Sequence, residues 1–127
     1  MRTTIKTKNA PAAIGPYSQG VVFQGKLVYT AGQIPLNPQT GDLLNENIQE
    51  ATKRVLENVQ AILEEAGTSL ANVVKTTVFM TDLGEFAQMN EVYGQFFKDN
   101  LPARSAVQVS ALPLGARVEI EAVALVK

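Results

Sequence analysis

The chain predicts one α+β domain over residues 1–127, a mixed sheet with two helices packed on the same face. Three observations carry this. The apolar residues switch period along the chain to give the order strand, strand, strand, helix, strand, helix, strand, strand. Each helix stands between two strands, and right-handed crossovers return both helices to one side of the sheet. The 46% apolar content of 127 residues is enough to bury one core.

The elements are taken in chain order. A first strand around Thr3 to Thr7 precedes the segment Asn9 to Gly20, where Pro11, Gly15, Pro16 and Gly20 forbid a helix and leave a fixed loop carrying Tyr17. Val21-Val22-Phe23 and Leu27-Val28-Tyr29 flank Gln24-Gly25-Lys26, the signal of a hairpin. Gly32 to Gly41, with Pro35 and Pro38, reads as loop. Ile48, Ala51, Val55, Val59, Ile62, Leu63 and Ala66 recur at helical spacing; Asn45 or Asn47 can cap the start, and Gly67 suits the left-handed residue past the end. The polar positions Glu50, Lys53, Arg54, Glu57, Gln60 and Glu64 face away from that stripe.

Val73 to Met80 reads as a strand, and Asp82 is a candidate cap for the next helix, with Glu85 placed to bond back. That second helix sets Phe86, Met89, Tyr93, Phe96 and Phe97 on one stripe that includes Asn90, and Asn100 and Pro102 stop it. Pro102 to Val109 and Arg117 to Val126 are rich in small and β-branched residues and are separated by Leu112-Pro113-Leu114-Gly115. They read as neighbouring strands joined in a hairpin. In the last strand Val118, Ile120, Ala122 and Ala124 share one side; Glu119, Glu121, Val123 and Leu125 share the other. The face without helices is thus partly aliphatic, which predicts a homo-oligomer that buries it.

Composition narrows the chemistry. Without cysteine there is no disulfide or thiolate, and without histidine there is no serine-histidine triad and no histidine zinc site, so no metal is expected. Carboxylate, tyrosine, lysine, arginine, hydroxyl and backbone amide remain. A net charge of -1, a pI near 5.4 and eleven scattered basic residues predict no nucleic-acid partner. The amino terminus lacks an apolar leader and no run approaches the roughly 18 apolar residues of a membrane span. A cytoplasmic protein without membrane contact is the expectation.

Arg104 stands out among four arginines because it interrupts a strand of Ala, Ser and Val. Its fork matches a carboxylate through two parallel hydrogen bonds. On the residues alone it serves either an internal ion pair with Glu119 or Glu121 or a ligand, and the hairpin register decides between them. Glu119 and Glu121 point to one face, where proximity and burial would raise the pKa of one carboxylate, or else one or both lie at a solvated edge. Tyr17 either positions a substrate or fills a gap under Pro16. Asn90 reads as a hydrogen-bonded anchor, Tyr93 as core, and Lys75 as a strand-edge residue rather than a Schiff-base lysine.

The motifs Gly15-Pro16-Tyr17-Ser18-Gln19, Gly32-Gln33-Ile34-Pro35, Asn58-Val59-Gln60-Ala61-Ile62-Leu63, Pro102-Ala103-Arg104-Ser105 and Val118-Glu119-Ile120-Glu121-Ala122 together resemble the reactive intermediate deaminase (YjgF) family. The resemblance spans about Thr3 to Val126. It implies a chorismate-mutase-like (ferredoxin-like) fold, a homotrimer, and clefts between subunits that bind small carboxylates. It also implies cofactor-free hydrolysis of enamines and imines, such as 2-aminoacrylate, to 2-keto acids and ammonia. By the same resemblance Arg104 holds the substrate carboxylate, Glu119 positions or activates the attacking water, and Tyr17, Asn90 and the backbone amide of Gly32 make further contacts. Two positions depart from the pattern. Ala106 stands where many members carry cysteine, which removes any thiol role, and Ala31 stands where some carry serine. A non-catalytic metabolite-binding regulatory trimer is the alternative class. Ribonuclease or translation inhibitor, a name some members carry, is a third reading, against which the acidic pI and the lack of histidine weigh.

Overall fold

The computed structural model describes residues 1–127. Six strands and two helices appear in the predicted alternation: β1 Arg2–Ile5, β2 Gly20–Phe23, β3 Lys26–Tyr29, α1 Ile48–Glu65, β4 Val73–Met80, α2 Phe86–Phe96, β5 Ala103–Gln108 and β6 Val118–Val126. The first strand ends at Ile5 rather than Thr7, because the Thr7 N–H donates to Gln19 Oε1 instead of joining a ladder.

Strand order departs from both predicted hairpins. A four-stranded sheet runs β3-β6-β4-β5, and β1 pairs with β2 in a separate ladder. β5 and β6 are therefore not neighbours, since β4 lies between them, parallel to β5 and antiparallel to β6. The β4–α2–β5 crossover lays β5 parallel and directly beside β4, and β6 takes the other edge of β4, with β3 on its far side. Likewise β2 and β3 do not pair with each other: Gly25, at φ +143°, turns the chain from one ladder to the other.

Both helices cover one face, as predicted. Val55, Leu56, Val59 and Leu63 of α1 meet Met89 and Tyr93 of α2 and Phe97 beyond it, over Val73, Val78 and Met80 of β4 and Val118, Ile120, Ala122 and Ala124 of β6. Asn47 is the cap, accepting from the Glu50 N–H at 2.8 Å, and Gly67 takes the left-handed position at φ +86°. Asn45 instead braces the start of β6: its Oδ1 accepts from the Arg117 N–H at 2.9 Å and its Nδ2 donates to Gly115 O.

The predicted back-bond from Glu85 is absent, because Glu85 pairs with Arg117 Nη1 at 3.0 Å. Arg117 Nε also donates to Asn45 O at 2.8 Å, so one guanidinium ties the start of β6 to the approaches of both helices. Thr77 and Phe79 of β4 pair with Glu121 and Glu119 of β6 and with Ser105 and Val107 of β5, so these six share the opposite face, which carries no helix. Val107 is 43% exposed and Tyr29, at the far edge, 72%. No helix is long and apolar enough to cross a membrane.

Candidate active site

Arg104 pairs with Thr76 in the parallel β4–β5 ladder, so its side chain leaves the sheet on the helical face. There α2 presents Phe86, Asn90 and Tyr93, spaced so that all three lie along one side of the helix. Arg104 Nη1 donates to Asn90 Oδ1 at 2.6 Å, and the guanidinium carbon stands 4.8 Å from the centroid of the Tyr93 ring and 5.3 Å from those of Tyr17 and Phe86. The Tyr93 ring is itself held, with its hydroxyl 2.6 Å from Thr76 Oγ1.

No carboxylate neutralises this cation: the ion pairs of the molecule are Arg54 with Glu57 and Arg117 with Glu85. Burial lowers the Arg104 pKa, opposed by the nearby Tyr93 and Tyr17. Burial also pushes the Tyr93 phenol up to about 12, against the Thr76 hydrogen bond and the Arg104 charge.

The Tyr17 loop is fastened onto the start of β5. Ser18 N–H donates to Pro102 O at 3.0 Å and Ser18 Oγ to Leu101 O at 2.6 Å. Gln19 Nε2 donates to Pro11 O at 2.6 Å and to Thr7 O at 3.1 Å, holding the preceding arm. The glycine-proline motif thus closes one wall of a pocket of about 220 Å³ around Arg104, completed by Ile14, Gly15, Tyr17, Phe86, Asn90 and Ala106. A wider hollow of about 800 Å³ under the arm shares Tyr17, but its lining comes from residues 4–19 alone and the converging polar groups belong to the smaller pocket.

Glu119 is elsewhere. It pairs with Phe79, three residues along β4 from Thr76, and therefore projects from the face opposite Arg104. The internal ion pair between Arg104 and Glu119 or Glu121 is thereby excluded. Glu119 lies instead against Gly32. A Cβ at position 32 would overlap Glu119 Oε2 and stand 2.7 Å from its Cδ, so any larger residue would displace the carboxylate. The loop is pulled there by paired backbone bonds, Gln33 N to Ile120 O at 2.9 Å and Ile120 N to Gln33 O at 3.1 Å. Asn58 of α1 holds its continuation through Ile34 O and Leu36 O. Glu121, on the same face, is exposed.

The candidate residues thus form two groups, Arg104, Asn90 and Tyr17 on one face and Glu119 with Gly32 on the other. Lys75 joins neither: its Nζ donates to Ser105 Oγ at 2.9 Å on the helix-free face. Tyr93, read as core, is also the floor under Arg104. Its spacing from Phe86 and Asn90 on one helical stripe is the signal that places it there. Gly15 is legible only within its motif, since a missing side chain has no pattern of its own.

The family model described as Endoribonuclease L-PSP matches residues 7–126. A RutC family protein of Pyrococcus abyssi is 52% identical over 123 residues, covering 97% of this chain and 96% of that one. The human 2-iminobutanoate/2-iminopropanoate deaminase is 49% identical over 125 residues, covering 98% of this chain and 90% of its own. Among solved structures, E. coli TdcF with bound serine superposes with a TM-score of 0.77 at 48% identity, covering 98% of this chain and 99% of that one.

Proposed function

Because the chain belongs to the endoribonuclease L-PSP family, the reactive intermediate deaminase family that its motifs resemble, we propose that it is a cofactor-independent enamine and imine deaminase of the cytoplasm. Its substrates are 2-aminoacrylate, 2-iminopropanoate and 2-iminobutanoate, and its products are 2-keto acids and ammonia.

One observation carries the reading: a half-buried guanidinium, walled by three aromatic rings and bonded to a neutral amide, with no anion of its own. Such a group lacks a carboxylate, and a small 2-imino acid supplies one. With the carboxylate on Arg104, C2 of the imine is already electrophilic and needs an oriented water and proton transfers. 2-Aminoacrylate reaches the imine by moving a proton from nitrogen to C3; water then adds to C2 to give a carbinolamine, both hydrogens of the water pass to nitrogen, and the C–N bond breaks as the C2 hydroxyl becomes the keto oxygen and ammonia leaves. Glu119 orients that water and relays the proton. Tyr17 and the Gly32 amide contact the substrate.

Arg104 and Glu119 occupy opposite faces of the sheet, so in this reaction they come from different copies of the chain, in a homotrimer whose clefts lie between subunits. The serine bound to TdcF is likewise a small amino acid with a free carboxylate. An RNA-cleaving reading has the family description in its favour but no histidine in the chain to act as acid or base.

The test is release of ammonia and keto acid from freshly generated 2-aminoacrylate, with Arg104→Ala and Glu119→Gln beside the wild type. Loss of release in both variants is expected. Full activity in both would overturn the site, and binding of 2-keto acids with no turnover above the spontaneous rate would make the protein a metabolite-binding regulator instead.

A further inference from the structure

In the Arg104 pocket, Nη1 donates to Asn90 Oδ1, and the second terminal guanidinium nitrogen, Nη2, and the Asn90 amide nitrogen, Nδ2, lie nearest Gly15. A Cβ built on Gly15 would stand 3.4 Å from Arg104 Nη2, 3.6 Å from Asn90 Nδ2 and 3.7 Å from Tyr17 Cδ2. These are not clashes. They are ordinary contact distances, so the fold has room for alanine here. Nor does the backbone require glycine, since Gly15 is not among the residues at positive φ.

What a methyl group would remove is the space between two N–H donors. A ligand oxygen bonded to either nitrogen from the Gly15 side would sit at about 2.9 Å from it, where a methyl only 3.4 Å and 3.6 Å from the two nitrogens would crowd it. We propose that Gly15 is a substrate-binding determinant: its missing side chain keeps open a seat for one carboxylate oxygen between Arg104 Nη2 and Asn90 Nδ2. The inference rests on the carboxylate-binding reading of the site and gives Asn90 two roles. Its oxygen orients the arginine, and its nitrogen donates to the ligand.

The experiment measures calorimetric binding of 2-oxobutanoate to wild type, Gly15→Ala and Arg104→Ala, with a thermal melt of each. Gly15→Ala is expected to bind at least about tenfold more weakly while melting within about 2 °C of wild type. Its KM should rise by the same factor for imines with methyl and with ethyl side chains, because the lost seat is that of the carboxylate.

Wild-type affinity in Gly15→Ala overturns the inference, as does a weakening accompanied by a larger fall in melting temperature, which would show that the glycine serves the loop. The two readings fail separately. A wild type that deaminates 2-aminoacrylate yet binds no 2-oxobutanoate sinks the seat and leaves the deaminase. A wild type that binds without turnover, with Gly15→Ala losing that binding, sinks the deaminase and leaves the seat.

Discussion

Arg104 and Glu119 leave the same sheet from opposite faces. β4 lies between their strands, and it pairs Arg104 through Thr76 but Glu119 through Phe79, three residues further on. Side chains an odd number of residues apart on a strand point to opposite sides. Within one chain the two groups therefore have no common ligand, and the proposed reaction draws its water-orienting carboxylate from a neighbouring copy.

The helix-free face should then be an interface. Val107 lies on it beside Phe79 and is 43% exposed. Val107→Glu places a charge where a partner would have to bury it, at a cost of several kcal/mol. Sedimentation should report the mass of one chain for the variant and of three for the wild type, with deamination lost alongside assembly.

Arg104→Lys keeps the charge and discards the fork. Lysine offers no paired donors and cannot lie flat among the rings of Tyr17, Phe86 and Tyr93. Losing a charge-assisted hydrogen bond costs about 1.5–3 kcal/mol, so KM should rise roughly 10- to 100-fold. Steady-state kinetics on 2-aminoacrylate checks this, and an unchanged KM would contradict the assignment.

Gly32→Ala should fail because of Glu119. The added Cβ overlaps the carboxylate, so the loop or the glutamate must move. The variant should lose both stability and activity, while Gly32→Ala combined with Glu119→Ala should regain stability relative to the sum of the single changes. A double-mutant cycle by urea denaturation reads this coupling, and simple additivity would argue against the contact.

Tyr93→Phe keeps the ring under Arg104 and strands the Thr76 hydroxyl. The loss should be about 1–3 kcal/mol by denaturant unfolding, with a smaller further loss when Thr76→Val is added. The stability that wild type holds over Tyr93→Phe should also depend on pH. Burial raises the folded phenol to about 12 from 10.0, so the folded state keeps a proton that the unfolded chain gives up first. The advantage is full below pH 10 and declines by about 1.4 kcal/mol per pH unit as pH rises towards 12. A constant difference across that window would refute the buried, neutral phenol.

Much of the fold was legible in local pattern. Ile48 to Ala66 repeats at helical period, and α1 runs Ile48–Glu65. Val73 to Met80 became β4 without change, and the two sides of β6 separate as their alternation requires. Arg104 and Tyr17, which line one pocket, each carry a local signal too: Arg104 breaks a small-residue strand, and Tyr17 sits in a segment that glycine and proline bar from a helix. The division between Glu119, packed on Gly32, and the exposed Glu121 is a matter of what the Gly32 loop touches, and no spacing within β6 records it.

By itself the sequence determined which segments are strands or helices and which side chains share a face, because both depend on periodicity within a few residues. Only the tertiary structure decided which strands are neighbours. Leu112-Pro113-Leu114-Gly115 would serve equally well in a hairpin or in a connection that carries the chain past β4, and the choice rests on long-range pairing, with β5 on one edge of β4 and β6 on the other. That choice inserted β4 between Arg104 and Glu119. It replaced an internal ion pair, compatible with every local signal, by two charged side chains facing opposite ways.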